Sequence, residues 1–163
     1  MSMFSIIFSA NDNATDGSKY IYKAIKSGKV DIVTFLIDNG ANVNEFNEKI
    51  SILTPLQLAV AEGQTEIFKI LIEYGADANY VNKKRMTLLH IAAMFDNLEI
   101  CEILVANGTN VNAKDVNAEQ LTALHYATVY GSNDTVEYLI AHGANVTAET
   151  SDRNTPLHMV AMN

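Results

Sequence analysis

Three of the chain's four histidines, His90, His125 and His158, and its single cysteine, Cys101, are the side chains with which chemistry would start. Imidazoles gathered at one point could hold a metal or pass a proton, and an activated thiol could attack a carbonyl. Each histidine, however, sits at the same place in a recurring phrase: "TLLHIAAMFD" at Thr87, "TALHYATVYG" at Thr122 and "TPLHMVAMN" at Thr155. A fourth copy, "TPLQLAVAEG" at Thr54, carries Gln57 there instead. Residues at one register position of stacked helices stand roughly 8–10 Å apart. Zinc takes its nitrogen ligands at about 2.0–2.1 Å, so such a ladder cannot share one ion. Gln57 suits a polar structural role and makes a poor ligand. These histidines therefore read as structural, and no metal or cofactor is expected.

Cys101 falls between Ile100 and Ile103, at the position of Phe68 and Val136 in neighbouring copies. A small buried hydrophobe explains it better than a nucleophile does. The chain has no glycine-rich phosphate loop, paired acidic motif or metal-spaced Cys/His set. The expectation is a protein that is not an enzyme.

The elements that position these residues follow from the repetition itself. Successive copies begin 33, 35 and 33 residues apart, and each is followed by an apolar stretch and a turn: "DNGANVN", "EYGADAN", "ANGTNVN" and "AHGANVT". An earlier unit from Lys19 fits the frame without the Thr-Pro-Leu-His opening. Thr can cap the first helix of each unit, and Pro suits its first turn. Leu then faces inward, while Ala24, Ala59, Ala92 and Ala127 allow close helix approach. Gly28, Gly63 and Gly131 turn the chain into a second helix. One such hairpin cannot bury its own apolar face, so neighbours must stack.

In these residues the chain resembles the ankyrin-repeat family from Lys19 to Asn163. The resemblance implies an all-α solenoid of stacked helix-turn-helix units, β-hairpin fingers between units and a concave face that binds partners. Its repeats run at about 19–51, 52–84, 85–119 and 120–152, with the first helix of a fifth at 153–163. It further implies that each His steadies the turn before its helix by hydrogen bonding to Thr. Residues 1–18 read as a cap or flexible segment, because "MSMFSIIFSA" lacks the basic start of a signal peptide and is too short to span a bilayer. The chain departs from the family pattern at the finger tips, which lack Asp-Gly, and at Asp96, which replaces an inter-helix Gly. Val160 replaces the usual Ala, and the fifth unit stops before its second helix. A longer parent array is therefore expected.

The resemblance also places the two residues before each inter-helix turn on the concave side. The pairs Lys26-Ser27 and Ala61-Glu62 suit solvent, whereas Met94-Phe95 and Val129-Tyr130 put apolar and aromatic groups side by side. Aromatics and Met are enriched where proteins meet. The candidate contact set is therefore Met94, Phe95, Val129, Tyr130 and Glu62, the finger residues Met86 and Leu121 as added apolar surface, and Lys83, Lys84 and Arg85 as a basic tip. Members of the family are substrates of an asparagine hydroxylase that favours a Leu eight residues before the target. Asn44, Asn79 and Asn112 meet that spacing, although Asn at this place serves the finger base in any case.

A net charge of -8 argues against a nucleic-acid partner and against anionic membranes. One cysteine permits no internal disulfide, which fits a cytoplasmic setting, with nuclear or host-delivered locations left open. The expected function is protein binding by a monomer, with weak self-association through the exposed last repeat. Alternatives are the regulatory segment of a larger enzyme, channel or toxin, and a microbial effector acting on host proteins.

Overall fold

The computed structural model describes residues 17–46, 51–79, 86–116 and 119–161. The inner helices are α1 (Gly17–Lys26), α3 (Pro55–Ala61), α5 (Leu88–Met94), α7 (Ala123–Tyr130) and α9 (Pro156–Ala161). The outer helices are α2 (Val30–Asp38), α4 (Thr65–Glu73), α6 (Leu98–Ala106) and α8 (Asn133–Ala141). Each of the first four inner helices packs on the outer helix that follows it and on the next inner helix. At 6 to 10 residues these helices are too short to persist alone, so packing between units must hold them. The core runs unbroken along the stack through Ile21, Leu56, Ile67, Leu89, Ile100, Leu124 and Leu139, all under 2% exposed. Ala59, Ala92 and Ala127 are fully buried where inner helices meet, as their small size anticipates.

The start of an inner helix shows how the Thr-x-x-His/Gln phrase works. Thr54 Oγ1 accepts the Gln57 N–H, and Gln57 Oε1 accepts the Thr54 N–H, each at 3.2 Å. Thr87 with His90 and Thr122 with His125 close the same reciprocal cap. At the other end the chain must enter a left-handed conformation. Gly63 does so at φ +64°, and the Asn97 side chain of the next unit lies against it, donating to the Val60 carbonyl at 2.6 Å. Asp96 adopts φ +56° at the equivalent turn without being glycine. Its carboxylate accepts the Thr135 hydroxyl at 2.8 Å, so its side chain links two units in return for the backbone cost.

The described parts of the fingers differ from the hairpins that the resemblance implies. Among the described residues there is no strand, only one antiparallel bridge, between Lys114 and Thr122. The third finger is instead tied by the buried Asp115, whose carboxylate accepts the Leu121 N–H at 2.9 Å and the Tyr126 hydroxyl at 2.7 Å. The Asp115 N–H adds a backbone bond to the Leu121 carbonyl at 2.8 Å, and residues 117 and 118 of this finger lie outside the described residues. Residues 47–50 and 80–85 of the first two fingers lie outside the described residues.

Candidate protein-binding surface

Inner helix α5 is buried at every position from Leu88 to Ala93. Only its end emerges: Met94 is half-buried and Phe95 is 50% exposed. Helix α7 repeats the pattern, buried from Ala123 to Ala127, with Val129 half-buried and Tyr130 61% exposed. The helices thus spend their length on packing and present large side chains only at the rim.

Phe95 does not stand alone there. It lines a groove of about 470 Å³ with Lys26, Ile52, Leu53, Ala61 and Glu62. The groove therefore draws on the ends of α1, α3 and α5 and on the first finger. Ile52, at 70% exposed, is a member that sequence reasoning missed. Its signal was the apolar "ISIL" where a finger tip is usually polar. Lys26 and Ala61 read as ordinary solvated surface in the sequence and prove to be walls of the groove. Tyr130 is exposed but does not line it.

Met86 and Leu121 correct the sequence reading. They are 4% and 7% exposed and belong to the core, so they add no apolar surface. Each immediately precedes a capping Thr, where the chain turns back onto the stack. Leu53, Met86 and Leu121 occupy that position in three successive units, and this recurrence is itself a core signature. Lys83, Lys84 and Arg85 lie outside the described residues.

The histidines are structural connectors. His90 Nδ1 accepts the Thr87 N–H at 3.1 Å, which places the ring proton on Nε2. Nε2 reaches the Ala113 and Leu121 carbonyls of the following finger at 3.0 and 3.1 Å. His125 joins Thr122 to the Asn154 carbonyl in the same way, at 3.1 and 3.3 Å. Asn44 and Asn112 stitch the finger bases similarly. Asn44 donates to the Gly75 carbonyl at 3.0 Å and accepts from the Asp77 N–H at 2.8 Å. Asn112 donates to the Gly143 carbonyl at 2.9 Å and accepts from the Asn145 N–H at 2.7 Å. Asn79 is exposed, and its own N–H donates to the Asp77 carboxylate at 2.8 Å.

Burial pushes both His90 and His125 below the ordinary value of 6.5, opposed in part by the Asp115 charge at His90 and by the bond to the Asn154 carbonyl at His125. The folded chain thus resists a proton that the unfolded chain takes up as pH falls past 6.5. Stability should be complete above that value and decline below it, until the folded-state imidazoles take the proton themselves. Thermal melts from about pH 7.5 to about pH 5 should show the fall. A His90→Gln/His125→Gln chain, which has no imidazole at either place, should show a flatter profile.

Burial, with the Asp96 charge second, pushes the Cys101 thiol up to about 12. A thiolate is the reactive form, so Cys101 is inert while the chain is folded. Its labelling by a thiol reagent should be slow in buffer, accelerate by orders of magnitude in denaturant, and follow global unfolding.

Among the described residues no three His, Cys, Asp or Glu gather for a metal, and no helix is long and apolar enough to cross a membrane. A family model for ankyrin repeats, in three copies, matches residues 21–115 and again 114–163. The chain belongs to the ankyrin-repeat family. Comparison with curated proteins finds no match. Ankyrin repeats are in general protein-interaction modules. The shared scaffold does not by itself fix the partner.

Proposed function

We propose that this ankyrin-repeat chain binds a protein partner through its concave surface, performing no catalysis of its own. The observation that carries the reading is the exposure of Phe95 and Tyr130 at the ends of helices that are otherwise buried. A large apolar side chain half in water gains nothing for the fold, whereas a partner that covers it removes that area from solvent. The stacked units hold the groove preformed, so little ordering cost is left for the binding step. A lone, buried Cys101 suits a reducing, cytoplasmic compartment.

The test compares wild type with a Phe95→Lys/Tyr130→Lys chain in a pull-down from source-cell lysate, after matched melting curves. The expected result is a protein retained by the first and lost from the second. Truncating either aromatic to Ala should cost about 2 kcal/mol of binding and leave the fold intact. Recovery of identical proteins by both chains would remove the concave rim as the site.

A further inference from the structure

The charge of the molecule is unevenly placed. Lys19, Lys23 and Lys26 fall at i, i+4 and i+7 of α1 and are all exposed, while Ile21, Tyr22, Ala24 and Ile25 on the same helix are buried. These spacings put the three ammonium groups on one stripe, where they repel one another. No described carboxylate relieves them: the ion pair among the described residues is Lys69 with Glu99, far along the outer layer. Each outer helix, by contrast, carries an acid in its first turn, Asp31, Glu66, Glu99 and Asp134 in order. Acids at these places are favoured by the helix N-termini. The lysine stripe stands apart, on an inner helix of a chain whose net charge is -8.

Lys26 joins this stripe to the groove, where it stands with Ile52, Leu53 and Phe95, while Glu62 comes from the next inner helix. The groove therefore sets the lysines of α1 and a single carboxylate at the end of α3 beside an apolar floor that continues to Phe95 on α5. Resting on the concave-face reading above, we infer that the partner segment is an acidic peptide with a large apolar anchor. The anchor, a Leu, Met or Phe side chain, fills the groove against Ile52 and Phe95. Carboxylates on one side of the anchor lie over Lys19, Lys23 and Lys26, and Glu62 disfavours the reversed orientation. A nucleic acid meets the lysines as well, but it leaves the apolar floor uncovered and faces the negative charge of the rest of the molecule.

A random dodecapeptide library displayed on phage and panned on the full chain at low ionic strength tests this. Enriched peptides should carry Asp or Glu to one side of a single large apolar residue. By fluorescence anisotropy their binding should weaken with added salt and by roughly tenfold or more for Lys23→Glu/Lys26→Glu. Lys23→Gln/Lys26→Gln, which removes charge without reversing it, should fall between. Peptides without acidic bias that still lose binding to Phe95→Lys would overturn the acidic partner and leave the concave-face reading standing. Binding unchanged by either set of substitutions, or no enrichment over blank resin, would overturn both. A single-stranded RNA oligonucleotide that displaces the peptides and binds only when the lysines are present would overturn the peptide assignment.

Discussion

Replacing His90 with Ala should lower the stability of the chain by about 3 kcal/mol, although His90 does not line the groove. The ring is 1% exposed and makes two connections, the second shared between two carbonyls. It accepts the Thr87 N–H to close the cap of α5, and through Nε2 it ties down the Ala113 and Leu121 carbonyls of the next finger. Each such bond is worth about 1 kcal/mol net, and buried groups left without a partner cost at least that. Its edge-on contact with Tyr126, at 5.7 Å between ring centres, would also be lost, and a cavity would remain. His90→Gln is the informative companion. Gln57 closes the same cap at the start of α3, so Gln should restore that bond and leave a deficit of about 1 kcal/mol from the finger contacts. Equilibrium urea denaturation of the three chains measures the series. Equal losses for Ala and Gln would mean that the cap contributes nothing and the finger bonds carry the whole effect.

That series marks what the sequence makes legible. The repeat of Thr-Pro-Leu-His, the alanines and the paired glycines state a period and a facing, and period and facing define an all-α stack. The role of the histidines is legible for the same reason, since one residue type at one register position in several units answers a need that every unit shares. The groove is legible only in part, because it is made where units differ. Phe95 and Glu62 stood out as residues beside a turn. Ile52 did not, because its importance depends on how a finger folds across two neighbouring helices. Met86 and Leu121 misled for the complementary reason: an apolar finger residue reads as exposed unless its recurrence before Thr is taken as a core period. Asp115 could not be assigned from spacing alone. Its partners, Leu121 and Tyr126, meet it only after the third finger has folded back.

The same contrast between shared and local demands predicts unequal outcomes for two glycines with the same backbone conformation. Gly63 and Gly131 both adopt positive φ, at +64° and +74°. A side chain in that region costs about 1–2 kcal/mol through its own backbone, whatever surrounds it. Gly131→Ala should show that cost and little more, because nothing lies within 4 Å of the new methyl. Gly63→Ala should be worse. Its Cβ would stand 2.5 Å from the Asn97 Oδ1, and Asn97 cannot retreat freely because its amide donates to the Val60 carbonyl at 2.6 Å. Moving it breaks a link between the second and third units and leaves the Val60 carbonyl with the Gly63 N–H alone, at 3.2 Å, so lost bond and crowding together add about 1–2 kcal/mol. Urea denaturation should therefore place Gly63→Ala about 1–2 kcal/mol below Gly131→Ala. A Gly63→Ala/Asn97→Ala chain separates the two contributions. If the clash is the cause, the second substitution should cost much less in the Gly63→Ala background than in wild type, since the bond it removes is already broken. Additive losses would mean that Asn97 accommodates the methyl in place and that the backbone conformation alone sets the cost.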